Sequence, residues 1–147
     1  MNQFHCNRKN LIRLYTSFLM LGDFVINTDD YEIKKQINEN DYWKNYLIED
    51  KKTKNIYFAQ ISKASVEDQT NQKDFFTDIE MYSKISHPAI TSLYGFNLLD
   101  FHQYLHPTYI TEYIPNGSLN KMMEKVRSLN SPIELTDTKK YIILLGI

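Results

Sequence analysis

One stretch, Asp74 to Leu119, constrains the fold of this chain more than any other. From Phe75 to Ile85 the apolar residues fall at 75, 76, 79, 82 and 85. Steps of three and four put them on one face of a helix. Ser86-His87-Pro88 ends it, because a proline restricts the residue before it and cannot continue the helical ladder. Two apolar, strand-like runs follow, Ile90–Leu99 and Tyr109–Ile114, and the second closes on the turn-forming Pro115-Asn116-Gly117. Ser118 is suited to cap a further helix through Met122, Met123 and Val126.

Upstream, Tyr31–Ile37, Tyr42–Ile48 and Ile56–Ser62 read as three strands, separated by Asn38–Asp41 and by the charged hairpin loop Glu49–Asn55. Residues 1–28 show no motif; the stripe Leu11–Leu21 is expected to form a docking helix, being too short and interrupted for a membrane span. Downstream, Asn130-Ser131-Pro132 breaks the Ser118 helix and Thr136 or Asp137 starts a last one.

At 147 residues the expectation is one core. With 17 basic against 18 acidic residues, phosphate-backbone binding is not the main role, so no nucleic-acid partner is expected. The single cysteine, Cys6, excludes an intrachain disulfide and suits a reducing, cytoplasmic setting.

Three strands, helix, His-Pro stop, two strands and Asn116-Gly117-Ser118-Leu119 resemble, in that order, the small lobe and hinge of protein kinases of the tyrosine-kinase-like branch. The fold implied is α+β. It consists of a kinase-like small lobe, a five-stranded antiparallel sheet with one αC-type helix, and then helices of a truncated large lobe. The divisions expected are a divergent, helical segment at 1–29, the small lobe at 30–114, and the hinge exit with the first large-lobe helices at 115–147.

Kinase chemistry is positioning and charge neutralisation. The resemblance sets Asn38, Asn40 and Trp43 where the family's phosphate-binding loop has glycines, with Tyr42 at its aromatic tip, and Asn45 where a valine covers adenine. It sets Phe58 at an alanine that roofs adenine and Gln60 at the phosphate-holding lysine. Asp78 stands at the glutamate that pairs with that lysine, which suggests a Gln60–Asp78 hydrogen bond; its plainer reading, like that of Glu80, is a helix-surface carboxylate. Tyr82 and Leu93 match the regulatory spine, Thr111 the gatekeeper, and Glu112 and Ile114 the residues whose backbone meets adenine.

An indole at 43 prevents close backbone approach, and neither Lys44 nor Lys63 is in phase to replace the missing lysine. The catalytic-base and metal-binding segments of the family are not within these residues, so no catalytic residue and no metal ligand are expected. His102 and His106 have the spacing of a metal pair but no evident acidic partner. The expectation is therefore a pseudokinase-like binding or regulatory module with protein partners and no cofactor. The alternative is the N-terminal part of a protein kinase that uses ATP and magnesium to phosphorylate proteins. An incomplete gene product without a stable fold is the third reading.

Overall fold

The computed structural model describes residues 21–65, 69–128 and 136–145, with the side chains of 69–72, 141 and 143–145 left aside. All but Leu21 of the expected helix Leu11–Leu21, together with Cys6 and the break at Asn130–Pro132, lies outside the described residues. The chain divides into two compact units, Met1–Ser86 with Ile90–Tyr113, and His87–Ala89 with Ile114–Ile147.

The first unit is built on five antiparallel strands: β1 Tyr31–Glu39, β2 Trp43–Asp50, β3 Ile56–Ser62, β4 Leu93–Asn97 and β5 Thr108–Glu112, in the order β1-β2-β3-β5-β4. The third strand matches its expected bounds. β1 runs two residues past its expected end, while β2 begins one residue late and ends two residues late, so the turn between them is Asn40–Tyr42 and Tyr42 falls in it rather than in a strand. Glu49 and Asp50 join β2 because Asp50 closes the next turn, its carboxylate accepting the N–H groups of Lys52 and Thr53 at 2.8 Å each. Those bonds hold the Asp50 carboxyl below its ordinary pKa.

Helix α1 spans Gln69–Ser83. Its stripe buries Phe75, Phe76 and Ile79 against Phe96 of β4 and Leu21, a cluster of edge-on rings with Phe96 about 6 Å from both neighbours. Each such side chain contributes about 2 kcal/mol when fully buried. The helix ends two residues short of Ile85. Lys84 and Ile85 bond back to Met81 and Tyr82 in a tightening final turn, and Ile85 stays exposed. β4 is likewise shorter than the apolar run Ile90–Leu99, and Ile90 is exposed.

Alternation puts Ile48, Ala59 and Ile110 on the sheet face away from α1, all with no exposure. Ile26 and Phe101 pack against them beside Tyr31, Ile33, Tyr46 and Tyr57, and Ile26 belongs to a segment that no motif announced. Residues 21–30 form a strap: two single-turn 3₁₀ segments flank Val25, which bridges Phe96 in parallel at the edge of β4. Ile26 donates its N–H to the Phe96 carbonyl (3.0 Å), and Asn97 returns a side-chain bond to the Ile26 carbonyl (2.7 Å).

The second unit contains α2, Leu119–Arg127, and α3, Asp137–Leu145. Ser118 caps α2 as expected, its hydroxyl accepting from the Lys121 N–H, and Lys125 and Arg127 suit the negative end of the helix dipole. Before the cap, Gly117 at φ +72° closes a turn onto the Ile114 carbonyl. Among the described residues no helix is long and apolar enough to cross a membrane.

Candidate functional site

Asn38, Asn45 and Gln60 are direct register partners on β1, β2 and β3. Their side chains join into one chain of amides: Gln60 donates to the Asn45 carbonyl oxygen at 3.0 Å, and Asn45 donates to that of Asn38 at 2.7 Å. Asn45 is only 8% exposed, so the ladder satisfies an amide that burial would otherwise penalise. The expected Gln60–Asp78 bond is not formed. A cross-strand neighbour at matched height reaches the Gln60 amide without bridging to a helix.

Asn40 organises the loop that follows. Its side-chain oxygen accepts the N–H groups of Tyr42 (2.9 Å) and Trp43 (2.8 Å), while its own N–H bonds the Trp43 carbonyl at 2.9 Å. This is an Asx turn built into the hairpin loop Asn40–Tyr42. Three backbone N–H groups are therefore consumed inside the loop. The Trp43 ring meets Tyr109 edge-on, centroids 5.2 Å apart, at the margin of the α1 cluster.

Phe58 is half-buried on β3, opposite Leu47 on one side and Thr111 on the other. Thr111 is buried, and Glu112 is tied to Ser92 twice, by backbone (3.0 Å) and by its carboxylate on the Ser92 N–H (3.0 Å). Ile114 belongs to the second unit, where its carbonyl is taken by Gly117. Of the lysines nearest the site, Lys63 turns to Glu39 at 3.5 Å, and Lys44 is exposed.

Asp78 is exposed on α1 and borders a cavity of about 390 Å³ that Trp43, Tyr82 and Tyr109 also line. Burial pushes the Tyr109 hydroxyl up to about 12, with Tyr82 and the negative charge of Asp78 adding to it. Leu93 packs against the α1 cluster from β4.

His106 does have an acidic partner, contrary to expectation: its Nδ1 stands 3.2 Å from the Asp100 carboxylate. Asp100 is 5% exposed and also accepts the N–H groups of His102 (2.7 Å) and Tyr104 (3.1 Å), while its carbonyl accepts the Thr28 hydroxyl. The group staples the β4–β5 loop to the strap. Among the described residues there is no cluster of three or more side chains suited to a metal.

Comparison with known proteins adds the family. Residues 36–143 match the family model described as protein tyrosine and serine/threonine kinase. The chain is 25% identical over 99 residues to an Aurora kinase of Saccharomyces cerevisiae, covering 67% of this chain and 26% of that one. It is 29% identical over 108 residues to Aurora kinase B of Mus musculus, covering 69% and 29%. An Aurora kinase of Debaryomyces hansenii is 30% identical over 103 residues, covering 69% and 24%. The chain thus spans about a quarter of the length of the curated relatives it matches. On the strength of a match covering most of its residues, the chain belongs to the protein tyrosine and serine/threonine kinase family.

Proposed function

We propose that this kinase-family chain works as a protein-binding or regulatory module and does not transfer phosphoryl groups. The observation that carries the reading is the closed hairpin turn at Asn40–Trp43. Phosphate binding by a loop of this kind needs backbone N–H groups aimed outward, and here those of Asn40, Tyr42 and Trp43 bond within the turn. The neighbouring positions support it. Gln60 is neutral and engaged with Asn45, Lys63 is paired with Glu39, and Asp41 and Asp78 would repel a polyanion. These residues do not fit a nucleotide triphosphate. The lone cysteine is consistent with work in a reducing compartment such as the cytoplasm.

The test is a thermal-shift titration of the chain with magnesium ATP. No saturable rise in melting temperature is expected. A saturable rise that Gln60→Lys strengthens would overturn the reading.

One observation favours a second reading, the N-terminal part of an ATP-dependent kinase acting on proteins. The likeness to Aurora kinases runs through the small lobe and hinge, and Thr111 and Glu112 remain on β5. In that reading Thr111, Glu112 and Ile114 would border the adenine, and ATP with magnesium would be the cofactor. The same titration separates the two.

A further inference from the structure

The cavity between the β1–β2 turn and α1 has an unusual lining. Its walls are aromatic, formed by Tyr42, Trp43, Tyr82 and Tyr109 with Ile79 behind. Among the described residues its charged groups are of one sign, Asp41 on the turn and Asp74 and Asp78 one helical turn apart on α1. Among the described residues that line it there is no lysine or arginine.

Most carboxylates of this unit have an established partner. Glu32, Glu49, Asp30, Glu39 and Glu80 pair with lysines, Asp100 with His106, and Asp29, Asp50 and Glu112 accept hydrogen bonds. Among the described residues, the carboxylates of Asp41, Asp74 and Asp78 have neither an ion pair nor a hydrogen-bond partner. Three lysines adjoin lining residues in the sequence, and none of them lines the cavity: Lys63, between Ser62 and Ala64, is drawn away to Glu39, and Lys44 and Lys73 are exposed.

Aromatic faces with uncompensated negative charge form a receptor for a cation that also has a flat or apolar body. A guanidinium meets that description best: it stacks on rings, offers a fork of donors to carboxylates and is less strongly hydrated than an ammonium. A volume of about 390 Å³ lies at the small end of ligand clefts and suits one arginine with an apolar neighbour rather than a long peptide. We infer that this cavity is a docking site for an arginine-bearing segment of a protein partner, held by Asp74, Asp78 and Asp41 against the Trp43 and Tyr109 rings. The inference builds on the proposal that the chain is a binding module, and its test uses no nucleotide. A negative result here therefore leaves the ATP titration to stand on its own.

Trp43 is the only tryptophan in the chain, so its fluorescence reports directly on the cavity. The probes are N-acetyl-leucyl-arginine amide and the same dipeptide with citrulline, which keeps the shape and removes the charge. Titrated into the intact chain, the arginine probe should give a saturable change in emission. The citrulline probe should bind at least about tenfold more weakly. The double variant Asp74→Asn/Asp78→Asn should lose a similar factor, while Glu80→Gln, paired with Lys84, should bind like the native chain. If the double variant melts early, Asp41→Asn on the exposed turn takes its place and should weaken binding several-fold. Equal binding of the two probes, native affinity in the asparagine variants, or no saturable response at millimolar probe would each overturn the inference.

Discussion

Gly95→Ala tests whether the strap is a structural part of the sheet unit. A Cβ at position 95 would overlap the Ile26 side chain and stand 2.6 Å from the Phe24 carbonyl oxygen. Rotation of Ile26 about χ1 relieves its own clash, because its Cβ, at 3.4 Å from the added carbon, is in ordinary van der Waals contact. The Phe24 contact is with backbone, so the strap itself must lift. Overpacking of this kind costs about 1–3 kcal/mol. Lifting also strains the Ile26–Phe96 and Asn97–Ile26 hydrogen bonds, worth about 1 kcal/mol each. A loss of about 3 kcal/mol is expected, roughly a 10 °C fall in Tm for a unit of this size. The assay is urea and thermal unfolding followed by far-UV circular dichroism. Adding Ile26→Ala should return only part of the loss, because the carbonyl clash remains. A Gly95→Ala chain within about 0.5 kcal/mol of the native one would show that the strap does not lie on β4 as described.

Asn40→Ala removes the acceptor for two turn N–H groups and should cost about 1 kcal/mol. In amide exchange the Tyr42 and Trp43 N–H groups should lose protection while those of α1 do not; unchanged exchange at 42 and 43 would count against the Asx turn. Tyr109 should ionise near pH 12, above its ordinary 10.0. Its neutral form is the favoured one in the fold, so its contribution to stability is complete below pH 10 and is lost as pH rises towards 12. Ultraviolet difference titration of the native chain against Tyr109→Phe would read this as one late-titrating tyrosine of the eleven, and its absence would refute the burial of that hydroxyl.

Much of the sheet unit is legible in the residues because its elements carry period. Ile56–Ser62 has strand-forming residues between turn residues, and its bounds coincide with β3. Ser118 stands just ahead of an amphipathic run and caps it. Signals fail where geometry has no period. The first turns of α1, from Gln69, are polar and give no stripe, so the apolar spacing marks the helix only from Phe75, six residues after it begins. The strap makes one parallel bridge and two short 3₁₀ turns, a pattern with no repeat; only the apolar group Leu21, Phe24, Val25 and Ile26 hinted at burial. At the site, family likeness located Gln60 and Asp78 but assigned them to each other. The true neighbour of Gln60 follows from strand register, a pairing between residues 15 apart that neither strand announces alone. The pairing of Asp100 with His106 has no signal in the sequence, because loop residues have no regular spacing that brings such groups together.

The amide ladder has a further consequence, for alignment rather than chemistry. Pairing of β1 with β2 shifts twice, between Ile33 and Lys35 and again between Gln36 and Asn38, so a regular ladder does not by itself fix how the outer strand lies against its neighbour. A slip of one residue would turn Asn38 to the opposite face and leave the nearly buried Asn45 amide without its acceptor. A neutral polar contact that is satisfied in one alignment and broken in the others marks the correct one. Because no charge is involved, salt does not weaken that mark and ordinary changes of pH do not erase it.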